Sequence, residues 1–132
     1  MNTKIRELYG LQIEEVTSDK LSTQLRKVMT QQKGIHNFEG LVHKGHQISE
    51  KVTYLQENLR LLEADQEHQV VTLRSMDPDQ VKRNIEFFEM KIELSGKTTL
   101  ERLGYSKETG EREPVDFVVS YETLERLSKD LR

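Results

Sequence analysis

The sequence predicts a mainly α fold: an antiparallel helical hairpin or bundle around one long amphipathic, coiled-coil-like helix, followed by a small α+β C-terminal tail. Three observations carry that expectation. Ile48, Val52, Leu55, Leu59 and Leu62 are spaced four, three, four, three, which is the a/d pattern of a coiled coil or bundle. Charged residues make up 33% of the chain and hydrophobic ones 34%, a balance that suits helices with one apolar face and one wet face. Asp77-Pro78-Asp79-Gln80 reads as a helix start, with Asp77 as cap, Pro78 in the first turn and Gln80 closing a capping box.

The elements follow in order. Residues 3–16 place Ile5, Leu8, Tyr9, Ile13 and Val16 at helical spacing, with Gly10 as a weak point. Thr17-Ser18-Asp19 offers N-cap residues for a second helix carrying Leu21, Leu25, Val28 and Met29, which stops near Gly34. After a short bend at 34–40 the main stripe begins. Phe38, Leu41 and Gly45 extend its register backwards from Ile48. The flanking e and g positions are mixed and half neutral, which favours an antiparallel bundle over a parallel zipper. Gly40 and Gly45 each cost a helix interior roughly 1 kcal/mol. Either the helix starts near His46, or the glycines admit a close backbone neighbour.

From Pro78 a capped helix carries Val81, Ile85, Phe88 and Ile92, while Met90, Ile92 and Leu94 alternate and leave a strand open as the alternative. Gly104, Gly110 and Pro114 punctuate the tail. Val115, Phe117 and Val119 alternate around Asp116 as an edge strand, pairing with part of 98–106 in a hairpin. Ser120 caps a last helix with Leu124, Leu127 and Leu131. Thr99-Leu100-Glu101-Arg102-Leu103 recurs as Thr123-Leu124-Glu125-Arg126-Leu127, a five-residue echo too short to define a repeat. The 132 residues form one domain: helical hairpin or bundle over 3–75, capped helix over 77–96, hairpin and terminal helix over 97–132.

Composition excludes several classes. There is no cysteine, hence no disulfide, thiolate nucleophile or cysteine-held metal. The net charge is −3, and no segment is basic: residues 1–75 hold 10 basic and 10 acidic side chains, and 97–132 hold 7 and 8. That argues against a nucleic-acid footprint. No apolar run approaches the roughly 20 residues of a membrane span, and the first residues lack a secretory pattern. The expectation is a cytoplasmic protein without a membrane segment.

Three constellations bear on chemistry. On a continuous helix, His36, Glu39, His43, His46 and Glu50 fall within an arc of about 80° opposite the apolar stripe. His43, His46 and Glu50 are spaced to share one ion, although a His/Glu face opposite a core is ordinarily solvated. Ser95-Gly96-Lys97-Thr98 copies the tail of a phosphate-binding loop, but Lys91 stands where that motif needs its first glycine. Leu103-Gly104-Tyr105-Ser106-Lys107 resembles the turn of a helix-turn-helix over 98–113, with a second helix too polar to pack.

The functional expectation is a non-enzymatic interaction module: a self-associating adaptor, assembly factor or regulator. It would dimerise, or take a partner protein, through Phe38, Leu41, Ile48, Val52, Leu55, Leu59 and Leu62, because an uncovered apolar stripe drives association. The alternatives are a metal protein using His43, His46 and Glu50, and a DNA-binding regulator reading through 98–113. No cofactor is expected.

Overall fold

The computed structural model describes residues 2–75, 84–106 and 108–132. Its architecture overturns the helical expectation. Among the described residues, nine strands form one antiparallel sheet, and two short helices accompany it. The described residues form neither a helical bundle nor a coiled coil. The capping signal at Asp77–Gln80 and the first stripe residue of that segment, Val81, lie outside the described residues.

The first helical segment is instead a hairpin of β1 (Lys4–Leu8) and β2 (Leu11–Ser18). Tyr9 and Gly10 join the strands with φ of 55° and 78°, and two successive positive φ values give the type I′ twist that suits a two-residue hairpin. Along β2, Leu11, Ile13 and Glu15 are buried while Gln12 is exposed, the period-two signature of a half-covered strand. Asp19 turns the chain into β3 (Ser22–Gln31): its Oδ1 accepts from the Leu21 and Ser22 amides, both at 2.8 Å. Those two amides hold the Asp19 carboxyl below its ordinary range.

A bulge explains why β3 imitates a helix. Glu14 pairs with Lys27 and Glu15 with Leu25, so Arg26 has no partner across β2. The extra residue changes the inward spacing from two to three at that point. Leu25 and Val28 therefore both point into the core, at an interval that reads as helical. Leu21, predicted on the same face, is 79% exposed in the turn.

The long stripe breaks into three structures. Helix α1 spans Phe38–Lys51, capped by Asn37, whose Oδ1 accepts from the Gly40 amide at 2.8 Å. It ends at Val52, and Leu55 follows in the connection. Leu59 and Leu62 belong to β4 (Leu59–Asp65). Leu41, Ile48, Val52, Leu55 and Leu59 all turn inward and are buried, which is why one spacing runs through a helix, a loop and a strand. Leu62 has no partner in the β4–β5 register and is 50% exposed. Gly45 resolves the glycine question in favour of close approach. The helix passes through it, and a β-carbon there would stand 2.9 Å from Leu61 Cδ1.

Next come β5 (Val70–Ser75), β6 (Asn84–Glu93) and β7 (Lys97–Ser106). β6 replaces the predicted capped helix and continues the alternation of Met90 and Ile92. The sheet order is β1-β2-β3-β7-β6-β5-β4. Two meanders thus meet at the β3–β7 pairing, and α1 carries the chain from one to the far edge of the other. α1 packs on β4, β5 and β6, and its buried Leu41 and Ile48 join Val71, Leu73, Met90 and Ile92 in one core. Each such aliphatic side chain contributes about 1.5–3 kcal/mol when fully buried.

The end of the chain splits the sheet. β3 and β7 pair only over Lys27–Gln31 and Lys97–Glu101. Beyond that point they part. β8 (Arg112–Val115) pairs with β7 at Arg102–Tyr105, and β9 (Phe117–Ser120) pairs with β3 at Ser22–Leu25. The chain descends along β7, reverses at Asp116 and climbs along β3. Helix α2 (Tyr121–Asp130) follows directly. Ser120 caps it, its hydroxyl accepting from the Thr123 amide at 3.0 Å. Leu124, Leu127 and Leu131 complete the core.

Candidate binding cleft

The fork between β3 and β7 creates a hollow of about 570 Å³, within the size range of ligand pockets. Its floor is the inner face of β6 and β7, its far wall is β9, and the connection after α1 overhangs it. Phe88, Phe117, Leu55 and Val119 supply the apolar lining. Phe88 and Phe117 meet edge to face, with ring centroids 5.1 Å apart, a favoured aromatic geometry.

The strand periodicity places one cation in this lining. Phe88 faces Arg102 across the β6–β7 ladder, and the Arg102 guanidinium lies 4.6 Å from the Phe88 ring centroid. Arg102 donates through its two terminal nitrogens to both Glu57 oxygens, at 3.4 and 3.3 Å, and through Nε to Glu86 at 3.2 Å. Glu57 also accepts from the Ser75 hydroxyl at 2.8 Å. That hydroxyl in turn accepts from the Phe88 amide at 2.7 Å. At the apex, Arg26, displaced by the β3 bulge, holds Asp116 at 3.1 Å. The same irregularity that disguises the strand thus fixes the reversal of β8 into β9.

The rim is tied to α2. Tyr54 donates its hydroxyl to Asp130 at 2.8 Å, and the Arg126 guanidinium sits 4.1 Å from the Tyr54 ring centroid. Burial, reinforced by the Asp130 carboxylate, pushes the Tyr54 hydroxyl well above its ordinary pKa, so it stays protonated and serves as a hydrogen-bond donor. Gln56 and Val118 are exposed at the edge of the hollow.

The residues singled out by sequence lie elsewhere, with one exception. Leu41, Ile48, Val52 and Leu59 are inside the chain's own core, Phe38 packs against that core and Leu62 is on the edge strand. Leu55 alone of that set lines the hollow. His43, His46 and Glu50 do share one side of α1, and that side is exposed to solvent. Among the described residues, no group of three His, Cys, Asp or Glu side chains is arranged to hold a metal ion. Of segment 98–113, residues 98–106 lie in β7 and 112–113 in β8, so the described residues hold no helix-turn-helix there. Ser95 and Gly96 form the β6–β7 turn, not a phosphate loop. Arg102, Phe117 and Tyr54 were missed. Their one legible signal was the alternation of Val115, Phe117 and Val119, because Arg102 and Tyr54 acquire meaning only from cross-strand and helix partners.

Fold and cleft together define a class: an open antiparallel sheet, helices packed against it, and a hollow at an internal fork. In comparisons with known proteins, no family model, no curated protein and no solved structure matches the chain. No helix among the described residues is long and apolar enough to cross a membrane.

Proposed function

We propose that the chain is a non-catalytic binding module, an adaptor or assembly factor, that receives an apolar side chain of a partner protein in the fork cleft. The observation that supports this is the state of the cleft's polar groups. Arg102 is engaged by Glu57 and Glu86, Asp116 by Arg26 and Tyr54 by Asp130. These side chains satisfy one another and shape the walls. Chemistry would instead call for a nucleophile beside a base, and among the described residues the cleft lining contains no histidine. The apolar surface the cleft leaves open to a partner is Val118, 65% exposed, with the half-buried Val119 beside it, above a floor of Phe88 and Phe117 that the chain itself buries.

The partner in this reading is a different protein. What supports this choice is that Phe38, Leu41, Ile48, Val52, Leu55 and Leu59 of the expected dimer stripe pack in the chain's own core.

The test is an amide chemical-shift titration with a short neutral peptide, capped at both ends and containing one phenylalanine. Shifts confined to 54–56 and 116–123 are expected, and Gln56→Trp, which fills the mouth from an exposed position, should abolish them without lowering the melting temperature. Shifts scattered over other strands, or a response indifferent to Gln56→Trp, would overturn the reading.

A further inference from the structure

A sheet leaves main-chain donors and acceptors open wherever a strand lacks a neighbour. Among the described residues four edges do so: β1 and β4 at the ends of the sheet, and the sides of β8 and β9 turned away from β7 and β3. Such an edge is a template for pairing with another chain, and folded proteins blunt it with charges, bulges or proline. β1 carries Lys4, Arg6 and Glu7. β4 carries Arg60, Glu63 and Asp65 and is bulged at Leu62. β8 carries Pro114. β9, Phe117-Val118-Val119-Ser120, has no charge, no proline and no register shift. Its brevity does not replace these devices, since β8 is equally short and still holds the proline.

The register shows which groups of β9 are open. The Tyr121 amide donates to the Leu21 carbonyl at 3.0 Å, one step beyond the Ser22–Ser120 pair. Bonded and non-bonded pairs alternate along an antiparallel ladder. Phe117 and Val119 therefore bond to β3, while the Val118 N–H and C=O and the Ser120 N–H point into the fork. The same alternation applies to β8. The Ser106 amide donates to the Glu111 carbonyl at 3.1 Å, one step beyond the Tyr105–Arg112 pair. Pro114 thus falls at a fork-facing position, where a missing N–H closes the edge. One arm of the fork is blunted and the other is not. Val118 is 65% exposed, and Val118, Val119 and Ser120 border the hollow of about 570 Å³.

Resting on the binding reading above, we infer that the partner binds as an added strand: an extended segment of another protein pairs through its main chain with the β9 edge at Val118 and Ser120. Strand addition draws affinity from main-chain hydrogen bonds and specificity from alternate side chains. The partner residue opposite Val118 shares its face, so an apolar side chain suits that position. A second copy is the poorer fit, because its own β9 edge is recessed in its own fork. A single slender strand reaches where a folded edge does not.

The probe is the neutral, end-capped phenylalanine peptide at saturation. Hydrogen exchange of the Val118 and Ser120 amides should slow on binding, while the Phe117 and Val119 amides, already bonded to β3, should not change. Successive amides of a strand point to opposite sides. Of two peptides N-methylated at alternate residues, one should therefore lose binding and the other keep it. Val118→Pro removes the edge donor at a position like that of Pro114. It should abolish peptide binding and keep the parent's melting temperature; if it does not fold, the methylated pair decides alone. Protection that is equal at all four amides or absent, or two methylated forms that bind alike, would overturn the added strand and leave the binding reading intact. An unmethylated peptide that does not bind would remove both. A dimer of the peptide-free protein that Val118→Pro dissociates, read by light scattering, would give the edge to a second copy and overturn the partner segment.

Discussion

Gly45 of α1 and Leu61 of β4 are in direct register across the helix–sheet interface: a β-carbon at Gly45 would stand 2.9 Å from Leu61 Cδ1 and 3.3 Å from Val71 Cγ2. Two effects oppose each other in Gly45→Ala. Alanine gains up to about 1 kcal/mol of helix propensity, while the added methyl must displace the end of a partly buried leucine, which has room to yield. The net change is expected to stay within about 1 kcal/mol. Gly45→Leu has no such outlet and should destabilise by about 1–3 kcal/mol or more through overpacking. Urea denaturation of both variants checks this, and equal losses would contradict the graded contact.

Glu57 joins two strands through two donors, the Ser75 hydroxyl and Arg102. Their side chains are little exposed, 11% for Arg102 and 18% for Glu57. Glu57→Ala leaves both donors without that acceptor, at a cost of about 1–3 kcal/mol. Glu57→Gln keeps an acceptor oxygen for one of them and should lose less. Both losses are readable from denaturation midpoints at unchanged slope, and the idea fails if alanine is as well tolerated as glutamine.

Part of this architecture was legible in the sequence. The Ser120 cap is a local signal that corresponds to an observed helix, whereas the Val115–Val119 alternation, read as one strand pairing with 98–106, is split at Asp116: Val115 ends β8, which does pair with β7, and Phe117 and Val119 lie in β9, which pairs with β3. The apolar spacings were real as well, since Leu25, Val28, Ile48, Val52, Leu55 and Leu59 are buried. The assignment of Leu25 and Val28 to a helix failed because the β-bulge at Arg26 converts a period of two into an interval of three, and that of Leu55 and Leu59 failed because α1 ends at Val52 while the spacing runs on into a connection and β4; Ile48 does lie in a helix. The five-residue echo makes the same point. Thr99–Leu103 lies in β7 and Thr123–Leu127 in α2, so identical local propensity yields strand or helix according to tertiary partners. The cleft was illegible for a further reason: Arg102, Phe117 and Tyr54 come from three separate segments that only the fork brings together.

Glu15 should make stability sensitive to acid. The Ser18 hydroxyl at 2.5 Å and Arg6 at 2.7 Å bond its carboxylate, and these two partners, Ser18 first, hold its pKa below the ordinary value. A depressed folded pKa stabilises the fold above the unfolded value, near 4.3, and that contribution fades as pH falls through the folded one. Glu15→Gln should therefore melt below the parent at about pH 7 and approach it at about pH 3. A gap in melting temperature that stays constant over that range would show that the carboxylate charge is not what Glu15 contributes.

Leu55 and Leu62 separate the sequence-based picture from the observed one. In an a/d stripe the two positions are equivalent, and a glutamate at either would split a dimer into folded monomers. In the sheet, Leu55 is 9% exposed and belongs to the core, whereas Leu62 is 50% exposed on an edge strand. Leu55→Glu puts a carboxylate into the core cluster at the cleft wall, where the one cation among the described lining residues, Arg102, is already held by Glu57 and Glu86, so it should destabilise by more than about 1 kcal/mol. Leu62→Glu meets water and should stay within about 0.5 kcal/mol of the parent. Thermal melts read the stability difference and light scattering reads the mass. Two folded variants that differ from the parent only in mass would restore the stripe as an interface and remove Leu55 from the core; a collapsed Leu55→Glu beside an unchanged Leu62→Glu would mean that the spacing records burial within one chain.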